Sequence, residues 1–273
     1  VIDNLITAKD FREDVVNRFK AREKLEPLGV RQRLLNKMGM VNAKAPIPKL
    51  LINTELNQDD FPTHISLTPD GNRRWARARD LSVGEGYANG AEVIKDFRKW
   101  SMIDNSVDIV SAFLMSTENI ERRPEEELEQ LYAVFTDFFN GVAENQSVHD
   151  NKIRHEVRGN GDVLERLPDE VQDSIDTMEE ATKGYDNKKM IFLLGYGGRD
   201  DIVNAARETP RGEAQVQVTG EGEDDTRFRE QLLVGDLPAV DLMIRTSERR
   251  IYNFMLYENA YAKFVFKDKM WLT

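Results

Sequence analysis

The sequence predicts an α/β protein: a single domain with a central, mostly parallel β-sheet flanked by helices, preceded by a helical N-terminal extension. From His64 onward, short apolar runs alternate with longer amphipathic stretches, as expected when each strand is followed by a crossover helix. The chain has 273 residues, enough for one large α/β domain, and shows no internal repeat. We therefore predict a helical extension and linker over residues 1–60 and one main domain over residues 61–273.

The order of the predicted elements follows from hydrophobic periodicity. Short strand-like patterns predict strands over 64–68, 107–115, 153–158, 189–195, 240–245 and 263–267. Amphipathic patterns predict helices over 71–80, 86–101, 125–145, 163–182, 199–208 and 226–234. Further helical patterns over 11–40, a proline-containing linker over 43–49 and a glycine-rich acidic loop over 211–226 complete the chain.

Composition excludes several classes of function. A net charge of -11 argues against a general nucleic-acid binder, because no broad basic surface is available. The absence of cysteine excludes disulfides, thiolate zinc ligands and a cysteine nucleophile, and it fits a reducing cytoplasm. No apolar run approaches the roughly 20 residues that a spanning helix needs. We therefore expect a cytoplasmic protein, with peripheral contact to a membrane left open.

The most informative stretch is the exit of the first predicted strand. The run Ile65–Thr68 ends at Pro69, a polar turn of Asp70, Gly71 and Asn72 follows, and Arg73 and Arg74 open the next helix. Backbone N–H groups, a helix N-terminus and two guanidiniums around one point suit a diphosphate, and a carboxylate there suits its Mg²⁺ ion. The alternative interpretation is an ordinary strand-to-helix turn with an Asp cap and solvated arginines.

Other polar groups are weaker signals. Ser116, Glu118 and Asn119 follow the predicted strand 107–115, at the edge where open α/β sheets bind ligands, although a helix cap explains them equally well. The run GGRDD at 197–201 lacks nucleotide-loop spacing and predicts a strand-to-helix turn. The three histidines predict no metal site, because none lies at metal-ligand spacing from another; His149 and His155 are expected in polar surroundings.

The segment DGNRRWA at 70–76 resembles the first signature of the cis-prenyltransferases, the undecaprenyl diphosphate synthase family. Further matches follow in that family's order: STEN at 116–119 leading into Arg123-Pro124, GGRDDIVNA at 197–205, DLMIRTS at 241–247 leading through Arg250 to Asn253-Phe254, and the closing YAKFVFKDKMW. The resemblance runs from about His64 to Trp271, and five motifs in order make it specific.

The resemblance implies Mg²⁺-dependent prenyl transfer from an allylic diphosphate, by cis condensation with isopentenyl diphosphate to a polyprenyl diphosphate. It implies catalytic roles for Asp70, Asn72, Ser116 and Asn119, with Asp70 also the metal ligand. It implies substrate binding by Gly71, Arg73, Arg74, Trp75, Arg123, Arg245, Arg250 and Tyr252, although packing is the favoured alternative for Trp75. Arg73 and Arg74 would serve the allylic half, and Arg245 and Arg250 the isopentenyl half. A homodimer is also implied, with a heterodimer as the alternative.

The predicted helix 125–145 carries an apolar stripe that suits a core position: Leu128, Leu131, Tyr132, Phe135, Phe138 and Phe139. In the resembled family a hydrophobic tunnel beside the sheet holds the growing isoprenoid chain, so part of this stripe would line it. Leu114 and Met115 at the tunnel floor would favour a shorter product.

Several departures from the family pattern fall at the site. Val83 and Tyr87 stand where the family has an Arg and a His, Tyr252 replaces a Ser, Lys263 replaces a late Glu, and the RTSE loop at 245–248 is one residue short. Two alternatives remain open: an atypical prenyltransferase with another acceptor or a short or irregular product, and a non-catalytic partner subunit. The retained charged residues favour the enzyme, because a subunit without catalysis has little reason to gather unpaired charges.

Overall fold

The computed structural model describes residues 62–209 and 227–272. The predicted extension and linker over 1–60 and the predicted loop over 211–226 lie outside these residues. The described residues contain a six-stranded sheet in which every neighbouring pair is parallel, in the order β3-β4-β2-β1-β5-β6. Its strands are β1 (His64–Thr68), β2 (Ile109–Ser116), β3 (Ile153–Arg158), β4 (Lys188–Tyr196), β5 (Leu242–Thr246) and β6 (Lys263–Lys267). The predicted fold class is confirmed.

The segment between β5 and β6 contains only bends and turns. The other connections contain helices, as crossovers between parallel strands usually do. The helices are α1 (Asn72–Arg77), α2 (Val83–Arg98), α3 (Thr117–Arg122), α4 (Glu125–Ala143), α5 (Gln146–Asp150), α6 (Gly161–Leu164), α7 (Asp169–Thr182) and α8 (Gly198–Glu208). A π-helical turn, Lys99–Asp104, continues α2. The strand-to-helix turn predicted at 197–201 is present, since β4 ends at Tyr196 and α8 begins at Gly198.

The sheet is buried on both faces near its centre. Every residue of β1 is buried, and so are seven of the nine residues of β4. Helices cover both faces of a parallel sheet, which explains why β4 is a nearly continuous apolar run. In β1, by contrast, Ile65 and Leu67 alternate with the buried polar residues His64, Ser66 and Thr68. On one face, Phe113 stacks on Phe254 with ring centroids 4.6 Å apart, and Tyr196 packs edge-on against both rings.

Several predicted helix boundaries were wrong, and each has a local cause. The helix α2 begins at Val83 rather than 86, because Ser82 and Glu85 form a reciprocal capping box. The predicted helix 163–182 is two helices, and Pro168 is the N-terminal cap residue of the second. The predicted helix 226–234 gives way to turns over 230–236.

The expectation of polar surroundings was wrong for His155. Its ring is fully buried on β3, where it lies 3.3 Å from the Arg98 guanidinium and packs beside Phe192. Burial and the neighbouring cation lower the pKa of His155 to about 3, so the ring is neutral. The polar contacts predicted for His149 are present, since its ring bonds the Tyr185 hydroxyl at 2.9 Å.

Within residues 62–209 and 227–272, no helix combines the length and the apolar character needed to cross a bilayer.

The strand order places a crevice between β1 and β5. The chain leaves β1 toward β2 on one side, and it leaves β5 toward β6 on the other. In open α/β sheets, ligands bind outside the carboxyl ends of the strands at such a point of reversal. Thr68 pairs with Arg245 in the register, so the exits of these two strands lie side by side.

Candidate active site

The turn after β1 requires glycine at position 71. Gly71 has φ +107°, a conformation that L side chains rarely adopt. A Cβ at this position would lie 2.9 Å from the Cβ of Met270, which leaves no room for a side chain. The turn therefore brings Asp70 close to the segment after β6, which contains Met270, and α1 begins just beyond the end of β1.

The backbone of Asp70 is fixed on two sides. Its N–H donates to the Thr246 hydroxyl at 3.0 Å, and its carbonyl accepts from the same hydroxyl at 2.8 Å and from the Trp271 N–H at 3.0 Å. Thr246 is the last residue of β5. One hydroxyl thus joins the ends of two neighbouring strands and holds the Asp70 carboxylate at the mouth of the crevice.

A first charged cluster surrounds that carboxylate. Arg245 Nη2 lies 2.9 Å from both Asp70 Oδ2 and Glu248 Oε2. Arg74 Nη2 lies 3.3 Å from Asp70 Oδ1 and 3.5 Å from Glu248 Oε1, and Arg250 also pairs with Glu248. Arg245 is only 1% exposed, so these two carboxylates compensate a buried cation. Three guanidiniums around two carboxylates leave one positive charge in excess.

The loop after β5 is held in an uncommon backbone conformation. Ser247, Tyr252, Asn253 and Met255 all have positive φ, between +44° and +74°. The Tyr252 ring lies 5.2 Å from the Arg245 guanidinium and 4.9 Å from that of Arg250, within cation–π range of both. Tyr252 therefore acts as a platform that spaces these two arginines.

A second charged cluster lies across the mouth. Glu127 Oε1 accepts a hydrogen bond from the Tyr87 hydroxyl at 2.6 Å and lies 3.4 Å from Arg73 Nη1 and 3.5 Å from Arg123 Nε. The Tyr87 hydroxyl in turn accepts from Arg123 Nη1 at 2.7 Å. Burial raises the pKa of Tyr87, the cation of Arg123 opposes that change, and the bond to Glu127 adds to it; the phenol is protonated at neutral pH.

The two clusters border one cavity of about 440 Å³. Its mouth is lined by polar and charged residues: Asp70, Asn72, Arg73, Arg74, Arg77, Tyr87, Asn119, Arg123, Arg245, Glu248, Arg250 and Tyr252. Its inner walls are apolar: Ala91, Ile94, Phe113, Leu114, Met115, Leu131, Val134, Phe135 and Phe138. The cavity can therefore hold a ligand with a highly anionic head and a hydrocarbon tail.

Four buried polar atoms of the cavity-lining residues have no hydrogen-bond partner within the described part of the chain. They are the Thr68 hydroxyl, the Asn72 side-chain oxygen, Arg123 Nε and Arg245 Nε. Buried polar groups are nearly always paired, and exceptions call for a functional explanation. A polar ligand in the mouth supplies one.

Comparison with known proteins agrees with this geometry. Residues 68–272 match the model of the family described as "Putative undecaprenyl diphosphate synthase". The chain belongs to this family. Its curated relatives include tritrans,polycis-undecaprenyl-diphosphate synthases (geranylgeranyl-diphosphate specific) from several archaea. That of Pyrobaculum aerophilum is 37% identical over 77% of this chain and 87% of the relative, and that of Methanopyrus kandleri is 33% identical over 89% of each.

A solved structure shares the fold. Lavandulyl diphosphate synthase from Lavandula x intermedia, in complex with dimethylallyl diphosphate, superposes with a TM-score of 0.66 and 26% identity, over 77% of this chain and 89% of the other. These relatives are prenyl diphosphate synthases, so the protein is a prenyltransferase.

The structure of the prenyltransferase brings most of the residues singled out in the sequence to one cavity. Its lining includes Asp70, Gly71, Asn72, Arg73, Arg74, Asn119, Arg123, Arg245, Arg250 and Tyr252. Ser116 and Trp75 are not among the lining residues. Ser116 is buried and caps α3, accepting from the Asn119 N–H at 3.2 Å, and the Trp75 ring is covered by the Arg79 guanidinium at 4.5 Å. Ser116 thus orients the Asn119 backbone rather than facing the cavity.

Glu118, beside Asn119, is held in its charged form. Burial acts to raise its pKa, but hydrogen bonds from its own backbone, Ser116, Asn253 and Thr117 outweigh burial and lower it. The carboxylate therefore stays ionised and fastens the exit of β2 to the loop that carries Tyr252.

Sequence reasoning missed four residues of the site: Arg77, Glu127, Thr246 and Glu248. Arg77 lies one turn after Arg73 on α1, a spacing that predicts a shared helix face. Glu127 is the last of three consecutive glutamates in the first turn of α4, where acidic residues are already favoured by the helix dipole. The sequence therefore contained no sign that Glu127 also pairs with Arg73 and Arg123. Nothing local marks Thr246, because its partner Asp70 is 176 residues away.

The substituted position Lys263 is not near Asp70 in this chain. Lys263 begins β6 and pairs with Leu242, the first residue of β5. Asp70 and Arg245 lie at the carboxyl edge of the sheet, whereas Lys263 lies at the amino edge. The substitution therefore does not place a lysine beside Asp70 within one chain.

Proposed function

We propose that the enzyme condenses an allylic prenyl diphosphate with isopentenyl diphosphate to give a polyprenyl diphosphate with cis geometry. In this reaction the C1–O bond of the allylic substrate breaks and pyrophosphate leaves. The new bond joins C1 to the terminal alkene carbon, C4, of isopentenyl diphosphate, which leaves a positive charge at C3. Loss of one proton from C2 then forms the new C2–C3 double bond. The observation that carries the proposal is the joining of a guanidinium-lined mouth to apolar walls in a single cavity.

The guanidiniums at the cavity mouth provide for two anionic heads. We assign the allylic diphosphate to Gly71, Arg73 and Arg74, at the start of α1. We assign the isopentenyl diphosphate to Arg245 and Arg250, spaced by Tyr252. Guanidiniums suit phosphate oxygens because they form paired, charge-assisted hydrogen bonds. Arg123 lies at the mouth with the first group, held by Tyr87 and Glu127.

The proton-handling groups are proposed from position. Asn119 lines the cavity at the exit of β2, and Asp70 and Asn72 line it at the exit of β1. These side chains face the space where the two substrates would meet, so Asn72 and Asn119 would orient the isopentenyl group and its departing proton near Asp70. Ser116 would contribute through the backbone of Asn119.

We propose that Asp70 holds Mg²⁺ together with diphosphate oxygens. Within the described residues no group of three potential side-chain ligands is present. Magnesium is commonly bound through one or two carboxylates plus substrate phosphates, so a single aspartate fits. The Asp70 carboxylate retains acceptor capacity beyond its bonds to Arg74 and Arg245, since each oxygen has two lone pairs. When bound, the ion would stabilise the charge of the departing pyrophosphate.

The decisive experiment is an incubation of the full chain with labelled isopentenyl diphosphate, Mg²⁺ and allylic primers of increasing length, followed by chromatography of the products. A prenyl product with any primer would establish turnover, and its length would report the depth of the cavity. A folded sample that gives no product with any primer would contradict the proposal and would favour a partner subunit or another acceptor.

We propose further that the prenyltransferase acts as a cytoplasmic homodimer, as the family resemblance implies. Size-exclusion chromatography with light scattering of the purified chain tests the dimer, and a monomeric mass at assay concentration would contradict it.

A further inference from the structure

Tyr87 lines the cavity, yet its hydroxyl makes its strong hydrogen bonds within the protein. A phenol has one proton to donate, and Tyr87 donates it to Glu127 at 2.6 Å. It also accepts from Arg123 Nη1 at 2.7 Å. The hydroxyl therefore has no proton left for a substrate while these bonds persist.

Glu127 joins four elements at one oxygen. Its Oε1 accepts a hydrogen bond from Tyr87 on α2 and lies within 3.5 Å of Arg73 on α1. The same oxygen lies within 3.5 Å of Arg123, the residue that follows α3, and Glu127 itself lies in the first turn of α4. The Glu127 side chain is only 10% exposed. Its interactions with the two guanidiniums are therefore screened less by salt than those of a surface pair.

The charge balance explains what this arrangement does. Arg73 and Arg123 would repel each other at the cavity mouth without an intervening anion. Glu127 compensates one of the two charges and leaves the other for an incoming phosphate. Arg123 contacts Glu127 directly and also donates a hydrogen bond to the Tyr87 hydroxyl, which is itself bonded to Glu127. The two contacts restrict the guanidinium more than one ion pair would.

We propose that Tyr87 and Glu127 are positioning residues, which hold Arg73 and Arg123 for a diphosphate, and that Tyr87 is not a proton-relay group. This inference rests on the proposed function, because it assumes that the cavity mouth binds a diphosphate. The raised pKa of Tyr87, caused first by burial, agrees with it, since the phenolate that a relay base would need does not form at neutral pH.

The test compares Tyr87→Phe with Tyr132→Phe. Tyr132 lies on α4 near enough to Arg123 to feel its charge, but it is not among the residues that line the cavity. We expect Tyr87→Phe to raise the Kd for inorganic pyrophosphate, measured by calorimetry, about tenfold. The KM for the allylic diphosphate should rise by a similar factor, while kcat stays within about threefold of the wild-type value. Tyr132→Phe should leave all three constants unchanged. If Tyr87→Phe instead slows turnover by about two orders of magnitude at unchanged KM, Tyr87 is a relay and the proposal is overturned.

A double-mutant cycle tests whether Tyr87 acts through Arg123. In an Arg123→Gln background, Tyr87→Phe should produce no further change in pyrophosphate affinity. Full additivity of the two changes would overturn the proposal. Thermal melting of each variant shows whether the fold is retained.

Glu127→Gln provides a second route if Tyr87→Phe does not fold. It should weaken pyrophosphate binding, whereas the exposed Glu129→Gln on the same helix should not. Equal affinity of Glu127→Gln and wild type would overturn the positioning role. Wild-type protein that binds no pyrophosphate and makes no product would instead remove the proposed function itself, so the two failures are distinguishable.

Discussion

At the scale of single residues, Asp70 shows how a charge is placed before a substrate arrives. Its backbone is fixed by Thr246 and Trp271, and its carboxylate is held by two arginines. The side chain would therefore need little reorganisation to meet the metal ion and diphosphate proposed above, which is the condition for strong electrostatic catalysis.

Asp70→Asn should slow turnover by about 100-fold or more while leaving the fold intact, because the amide keeps the shape but loses the charge. Single-turnover product formation measures the loss, and circular dichroism checks the fold. The matched control is Asp268→Asn, an exposed carboxylate paired with Arg249 outside the cavity lining. Near-normal turnover in Asp70→Asn would remove Asp70 from the chemistry.

Arg250 and Arg249 form a natural pair for testing the second substrate site. Arg250 lines the cavity, whereas its neighbour Arg249 pairs with Asp268 at the surface. Arg250→Ala should raise the KM for isopentenyl diphosphate about tenfold with a smaller change in kcat, because a charge-assisted contact is lost. Arg249→Ala should leave both constants unchanged. Steady-state kinetics with isopentenyl diphosphate as the varied substrate measure both variants. Equal KM values for Arg250→Ala and Arg249→Ala would show that Arg250 does not bind this substrate.

Sequence patterns identified the arginines but not their anions. Arg73, Arg123, Arg245 and Arg250 belong to short motifs, so their spacing along the chain is visible. Glu127 and Glu248 acquire meaning only through contacts that the three-dimensional fold creates. The resemblance marked Tyr87 only as a departure from a family His, whereas the structure gives it two hydrogen bonds in a charged network.

At the scale of elements, the turn between β1 and α1 depends on one glycine. Gly71→Ala should destabilise the protein by about 1–3 kcal/mol, because the positive φ and the close approach of Met270 both disfavour a side chain. Gly184→Ala is the control, since nothing lies within 4 Å of its added Cβ. Urea denaturation measures both variants, and equal midpoints would show that the turn relaxes freely.

The exit of β2 places Leu114 and Met115 against the cavity. Leu114→Ala should lengthen the main product, because it enlarges the apolar end of the cavity where a growing chain would stop. Leu128→Ala on α4, which is not among the lining residues, controls for general loosening. Product chromatography after exhaustive reaction measures chain length; an unchanged distribution would place the limit elsewhere.

Element type was most easily predicted where a strand buried on both faces is a plain apolar run, as in β4. Element ends were less predictable, since they depend on single side chains. Ser82 and Glu85 start α2 through reciprocal bonds, and that signature is visible in the sequence once it is sought. The turns over 230–236 also carry a local signal, since Gly235 and Asp236 are followed by Pro238.

At the scale of the whole molecule, stability should depend on pH through a buried acid. Glu258 is 4% exposed, and burial raises its pKa to about 7, with Asp201 adding to the effect and Arg229 opposing it. Neither carboxylate oxygen has a hydrogen-bond partner among the described residues. In the unfolded chain this acid returns to its ordinary pKa near 4.3.

Because the folded pKa is raised, the stability that protonated Glu258 contributes is fully present below the unfolded pKa and is lost as pH rises through about 7. The difference is on the order of 3 kcal/mol. Glu258→Gln should therefore raise the Tm relative to wild type at pH 8 and give no advantage at pH 4. Thermal melts across this range test it, and parallel pH curves for the two proteins would contradict it.

The α/β fold class could be predicted from the alternation of strand and helix patterns in the sequence. The order of the strands in the sheet could not. The polar pair Arg98 and His155 lies inside the fold although both side chains suggest a surface position. Such pairing depends on how α2 packs against β3, which no local pattern records.

Arg245 has a consequence for how the two substrates find their places. One of its nitrogens holds Asp70 and Glu248 at equal distances, so the two halves of the site share a single cation. A ligand that draws this cation toward one half changes its hold on the other. By thermodynamic linkage, any change in affinity that one occupant causes at the other half is matched by the same factor in the reverse direction. We therefore expect the proposed halves to bind their ligands as a coupled pair rather than as two independent pockets.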